Sequence, residues 1–378
     1  MFTPGRHGAI FGERGVGKSS LANIVLTLFF ETRTFKHGYR VQCGQDTRFA
    51  DIMSDALKGV AGYDVSTSQA TQTASGSTKG SLGAFGTTIE GGVVSEHSVT
   101  SSRPYLTPAT AATLLASTRG LLVVDEADAL RDADTKRQLS ELIKALSDTN
   151  AEFKVLVVGI ANTVSQLVES HLSSSRALKE IHLSRMSPRG LKDIIRNGQQ
   201  ELGINFEPAV VDRIVRVSNG YPYFTHLLAL EAAKPGILET RSHVLIPDYE
   251  RATRRAAADA EATLLKKYDD AVGTGGSDGY RRVLVAAASV VSDRGELADK
   301  LTFTSRELRD EYKRLFHEPL PPQALGNHMR RLCCSEDENQ REQCIFLRER
   351  RSVYRFNDLR MVSLINIKEE ERSSVITI

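Results

Sequence analysis

Nine residues near the start of the chain, GERGVGKSS from Gly12 to Ser20, put three glycines, a lysine and two hydroxyls side by side. Glycines at this density weaken any regular element, because each loses more backbone freedom on folding than other residues do. A ligand must compensate. The spacing satisfies G-x-x-x-x-G-K-[ST], a loop whose backbone N–H groups turn inward around phosphate oxygens. Gly12, Gly15 and Gly17 permit the turn, with Glu13, Arg14 and Val16 between them. Lys18 is placed to reach β- and γ-phosphate oxygens, and the Ser19 hydroxyl to ligate Mg²⁺. Ser20 follows at the start of a helix whose positive dipole end adds to the attraction. ATP and Mg²⁺ are the ligands this pattern calls for.

A second group of candidates ends the run GLLVVDEADAL. Asp125 can hold the hydration shell of the metal, and Glu126 can accept a proton from an attacking water. An acidic pair opening a helix is also a common dipole effect. What favours catalysis is the expected position beside the glycine loop, on a neighbouring strand. Asn162, after VLVVGI, could orient the same water, although Asn at a strand end is equally a turn former.

Strands alternating with helices must position these groups. HGAIFG, YRVQCG, GLLVVD and FKVLVVGI read as strands, and the last two are apolar runs of the kind buried on both faces of a parallel sheet. The helices are SSLANIVLTLFFET, FADIMSDALKGV, LTPATAATLLASTRG and TKRQLSELIKALSDTN. Together they predict a doubly wound α/β core over residues 1–165, with ligands at the C-terminal edge of the sheet. A Ser/Thr/Gly-rich stretch, 62–102, interrupts the core and is expected to be a flexible insertion. Residues 166–269 have an almost entirely helical period and predict a lid. Residues 270–279 read as a glycine-rich linker, 280–362 as three helices and a β-hairpin, hence a winged helix, and 363–378 as a frayed tail.

Composition excludes other classes. The 378 residues are 40% hydrophobic and 25% charged, with a formal charge of +2, so no global field points to nucleic acid or membrane. No run approaches the roughly 18 to 20 apolar residues of a membrane span, and a cytoplasmic location is expected. The four cysteines lack paired zinc spacing and are expected to be reduced thiols.

In order, GERGVGKSS, LLVVDEADAL, VLVVGIAN, SSSRALKEIHLSRMS and NGYPYFTHLLAL resemble the Walker A, Walker B, sensor 1, arginine-finger and lid regions of the AAA+ and STAND P-loop ATPases. Within that branch the chain is similar to bacterial ATP-binding proteins related to origin-recognition ATPases, which end in a winged helix. The resemblance spans roughly residues 5 to 360 apart from the insertion. It implies a P-loop NTPase parallel sheet, a helical lid and a winged helix, slow ATP hydrolysis, and homo-oligomers in the ATP state. It also implies that Arg176 serves as an arginine finger toward a neighbouring subunit, with Arg185 in reserve. An ion pair to an exposed acid is the plain alternative for each. Two departures stand out. Gly220 and Pro222 occupy the lid motif where origin-type ATPases carry an arginine, which is the STAND pattern. The segment that helps hold adenine upstream of the first strand in relatives is almost missing, which leaves the base without its usual holder or puts the true start further upstream.

The third helix of the winged helix offers Asn327, His328, Arg330 and Arg331, and its hairpin offers Arg348, Arg350, Arg351 and Arg355. These could contact duplex DNA, but Glu336, Asp337, Glu338, Glu342 and Glu349 are interleaved and repel phosphate. The expected function is a Mg²⁺-dependent ATPase switch coupled to DNA. The alternative is a STAND-like nucleotide-gated sensor or scaffold with little hydrolysis that binds a protein partner. A P-loop kinase is disfavoured, because no acceptor-binding element is apparent.

Overall fold

The computed structural model describes residues 3–31, 37–63, 65, 106–161, 163–168, 177–273, 278–292, 301–333 and 344–376. Nearly all of the stretch 62–102, and both Asn162 and Arg176, lie outside them. By compactness the chain divides into two units, Met1–Phe11 with Lys18–His182, and Gly12–Gly17 with Leu183–Ile378.

The first unit is built on five strands, β1 (His7–Gly12), β2 (His37–Gln42), β3 (Gly120–Asp125), β4 (Lys154–Ile160) and β5 (Leu178–His182). Their order across the sheet is β2-β3-β4-β1-β5. β1 pairs with β5 in parallel, as do β2 with β3 and β3 with β4. β1 and β3 are buried along their whole length, and β4 is buried except for its exposed last residue, Ile160, which is why their sequences are largely apolar runs. The edge strands lack such burial: β2 has half-buried and exposed residues only, and β5 is buried only at Leu178. Helices α1 (Lys18–Glu31), α2 (Phe49–Ala61), α3 (Pro108–Leu115) and α4 (Ala133–Asp148) accompany the sheet. Asp132 caps α4 by accepting from the backbone N–H groups of Asp134 and Thr135.

Two expectations change here. The strand carrying the acidic pair is not adjacent to β1, because β4 lies between them. The stretch after Asn162 is not purely helical either, since LKEIH forms β5. An edge strand needs only one buried face, so its polar residues hid it from a search for apolar runs.

In the second unit, α5 (Pro188–Leu202), α6 (Pro208–Ser218), α7 (Pro222–Leu238), α8 (Ile246–Asp259) and α9 (Ala262–Val272) are joined by a short parallel pair, β6 (Asn205–Phe206) and β7 (His243–Val244). Ser187 caps α5 ahead of Pro188, and Gly203 ends it in the left-handed region. The core of this part centres on Tyr221, Phe224 and Tyr249, all fully buried. There follow α10 (Asp278–Ser292), β8 (Thr302–Thr304), α11 (Ser305–Phe316), α12 (Pro322–Leu332), β9 (Phe346–Arg350) and β10 (Val353–Phe356). The three strands form an antiparallel sheet of order β8-β10-β9, one strand more than the hairpin read from sequence. A capping box between Thr304 and Glu307 starts α11.

Residues 363–376 are not a frayed tail. They belong to α13 (Arg360–Ile376), whose Met361, Val362, Leu364, Ile365 and Ile367 are buried in the unit's core, packed on α8 and α10. Cys344 is disulfide-bonded, against the expectation of four reduced thiols, whereas Cys43 and Cys333 are free. Among the described residues no helix is long and apolar enough to cross a membrane.

Candidate nucleotide and metal site

In the first unit the two sequence motifs meet at Asp125. The Ser19 hydroxyl, in the first turn of α1, donates to Asp125 Oδ1 at 3.1 Å. The backbone N–H of Glu126 donates to the same oxygen at 2.9 Å, and Arg40 Nη2 donates to Oδ2 at 2.6 Å. Asp125 is 2% exposed, so these three donors offset the cost of burying its charge. Lys18 is buried, Ser19 half-buried and Ser20 exposed.

Glu126 sits in the left-handed region at φ 55°, and Gln42 Nε2 donates to its carboxylate at 3.1 Å. An ordinary side chain there costs about 1–2 kcal/mol, a strain typical of residues held for a purpose. Asp128 accepts from the N–H of Ile160 at 2.8 Å and so ties the turn after β3 to the end of β4. Cys43 follows β2 and is pushed up to about 12 by burial, with the charges of Asp125, Glu126 and Asp128 adding to it. It is a buried, protonated thiol and no nucleophile.

Arg40 and Gln42 were read only as part of a strand. In the parallel register Gln42 lies opposite Asp125 and Arg40 opposite Val123, so the two polar side chains share one face of β2 near the acidic pair. Their i, i+2 spacing at a strand end was the available signal. What the sequence lacked was which strand lies next to β3.

A hard divalent cation fits this donor set. A hydroxyl and a carboxylate oxygen converge, and Mg²⁺ takes one or two such protein oxygens while keeping water and phosphate ligands. Among the described residues no cluster of three His, Cys, Asp or Glu side chains forms a closed metal cage.

In the second unit, the glycine loop is fastened by residues far away in sequence. Tyr221 Oη donates to Glu13 Oε2 at 2.8 Å, and Arg14 pairs with Glu261 at 3.6 Å. Val16 belongs to this unit's core. Gly12 has φ 149°, and a Cβ there would lie 2.2 Å from the carbonyl oxygen of Leu183; at Gly15, φ 83°, a Cβ would meet Arg360 Cδ at 2.8 Å. Both positions therefore require glycine. Arg360, 7% exposed, pairs with Asp358 at 2.7 Å and with Glu261. Burial and the Glu13 carboxylate push the Tyr221 hydroxyl well above its ordinary range.

The other candidates fall elsewhere. Arg185 donates to the Asn219 side chain at 3.1 Å, bracing the turn that opens α7. On α12, His328 packs edge-on against Tyr280 at 4.8 Å and Arg331 lies 4.7 Å from the centre of the same ring. His328 is half-buried there, whereas Arg331 is exposed and also donates to the carbonyl of Asp270 at 3.1 Å. Arg330 donates to Asn327 at 2.7 Å, and Arg355 bonds Glu349. Arg348, Arg350 and Arg351 are exposed on and after β9.

A parallel sheet entered through a phosphate-loop motif, with hydroxyl and carboxylate oxygens converging beside it, defines a P-loop NTPase. The family described as Novel STAND NTPase 1 matches residues 4–287. The chain belongs to that family. No curated protein matches its sequence. Among solved structures, Cdc6p from Pyrobaculum aerophilum is 15% identical, with 98% of this chain and 91% of that one covered and a TM-score of 0.45. The ORC2 protein of Aeropyrum pernix is 11% identical, covering 98% and 89%, with a TM-score of 0.46. The RuvB Holliday junction branch migration motor of Thermotoga maritima is 16% identical, covering 82% and 79%, with a TM-score of 0.40.

Proposed function

We propose that the protein is a Mg²⁺-dependent ATPase whose nucleotide state sets a conformational or oligomeric switch. The observation that carries this reading is the bond from Ser19 to Asp125, which joins the last residues of the phosphate-loop motif to the acidic pair. In this reading Gly12 to Gly17 cradle the phosphates, Lys18 neutralises them, and Ser19 and Asp125 hold the metal, which supplies charge neutralisation at the transferred phosphoryl. Glu126 accepts the proton of the attacking water, Asn162 orients that water, and Arg176 reaches a neighbouring subunit's γ-phosphate. Replacing Glu126 by Gln should abolish hydrolysis and spare ATP binding. Unchanged turnover would remove the assigned base.

The α10 to β10 segment reads as a winged helix. With His328 packed on Tyr280, and Arg331 engaged by that ring and by the Asp270 carbonyl, the reading weights DNA binding toward Arg348, Arg350 and Arg351, which are exposed. Replacing any one of these three arginines by Ala should lower the salt dependence of duplex binding by about one unit of slope. A STAND-like sensor with little hydrolysis and a protein partner is the second reading. The ties of Glu13 and Arg14 to Tyr221 and Glu261 favour it, because they link the phosphate loop to elements that a signal must move. Solution mass with and without ATP, repeated with duplex DNA, separates the two. Assembly without DNA affinity at about 0.1 M salt supports the sensor.

A further inference from the structure

We propose that Arg40 is a positioning residue for the metal-bearing carboxylate and sets how strongly ATP binding depends on Mg²⁺. The proposal rests on the reading of Gly12 to Ser20 as a phosphate loop. Arg40 Nη2 lies 2.6 Å from Asp125 Oδ2, while Oδ1 accepts from Ser19 at 3.1 Å and from the Glu126 N–H at 2.9 Å. The two oxygens of one carboxylate therefore have separate tasks. Oδ2 is fixed by a guanidinium, and Oδ1 faces the hydroxyl that shares the metal.

The charge on Arg40 is permanent, since a guanidinium is not deprotonated in proteins. Its side chain is 36% exposed against 2% for Asp125, so the pair sits at the margin of the buried site, where charges interact strongly. The position is also rigid, because residues 37 to 42 of β2 run in unbroken register with 120 to 125 of β3. Two consequences follow. With Arg40 present the carboxylate is largely neutralised, so a triphosphate without metal is not repelled from Ser19, and the metal is held only moderately. With Arg40 gone, Asp125 presents a full negative charge: metal-free ATP binds less well, and Mg²⁺-ATP binds better.

The test is a titration with a fluorescent ATP analogue, in Mg²⁺ and in EDTA, reading the ratio of the EDTA dissociation constant to the Mg²⁺ one. Arg40→Gln should raise that ratio about tenfold or more over wild type, as one unit charge several ångströms away predicts at an effective dielectric constant of about 20. Arg40→Lys should restore most of the wild-type value. A ratio unchanged in Arg40→Gln, with only the unfolding midpoint lowered, would reduce Arg40 to a pin between β2 and β3 and overturn the proposal. Failure of wild type to bind in either buffer, or equal binding by Lys18→Ala, would instead overturn the phosphate-loop reading beneath it.

Discussion

Tyr221 donates its hydroxyl to the carboxylate of Glu13 at 2.8 Å, 208 residues away in sequence. Tyr221 is fully buried at the start of α7, so the loop residue is held by a group that is itself immobile. Substitution of Tyr221 by Phe keeps the packing and deletes only this bond. We expect about 1–2 kcal/mol of lost stability in urea unfolding, together with faster amide exchange in residues 12–17. Unaltered exchange there would show that the bond does not anchor the loop.

Two arginines near the same loop should differ sharply. Arg360 is 7% exposed and bonded to both Asp358 and Glu261, so Arg360→Ala strands two carboxylates and should cost about 3 kcal/mol or more. Arg14 is 60% exposed and lies 3.6 Å from Glu261, so Arg14→Ala should cost well under about 1 kcal/mol. Equal losses in denaturant midpoints would mean that solvent screens the Arg360 pairs as fully as the Arg14 pair.

Glu126 separates stability from chemistry. At φ 55° and ψ 38° its backbone prefers glycine. Glu126→Gly therefore relieves about 1 kcal/mol of strain, offset in part by the added entropy of the unfolded chain. Its thermal midpoint should be no lower than that of wild type, while turnover disappears. A clear drop in the midpoint would show that the bond from Gln42 outweighs the strain.

The parts of this site that follow a local rule were legible in the chain itself. The glycine loop, the apolar strand ending in Asp125 and the helix from Lys18 each announce themselves by spacing or period. What was hidden depends on which elements become neighbours. Arg40 and Gln42 matter only because β2 lies beside β3, and Tyr221 only because α7 begins where the loop passes. Edge strand β5 was missed because three of its five residues are exposed and only Leu178 is buried. α13 was misread because KEEERSS is polar, although the helix begins with buried Met361, Val362, Leu364 and Ile365.

His7 makes the acid stability of the first unit testable. Its Nδ1 accepts from the Val155 N–H at 3.1 Å, which places the proton on Nε2, a buried atom without a hydrogen-bond partner among the described residues. Burial, and then the charge of Lys154, lower its pKa from 6.5 to about 3. An unfolded chain therefore takes up a proton below about pH 6.5 that the folded chain refuses until near pH 3. The stability this group contributes is complete above pH 6.5 and is lost as the pH falls toward 3, at up to about 1.4 kcal/mol per pH unit. His7→Asn keeps an acceptor for Val155 and cannot titrate. Between pH 7 and pH 5 the wild-type protein should lose about 2 kcal/mol more than the variant in urea unfolding. If the two decline in parallel, the folded imidazole is accepting its proton near the ordinary value, and the burial ascribed to it is breached by solvent.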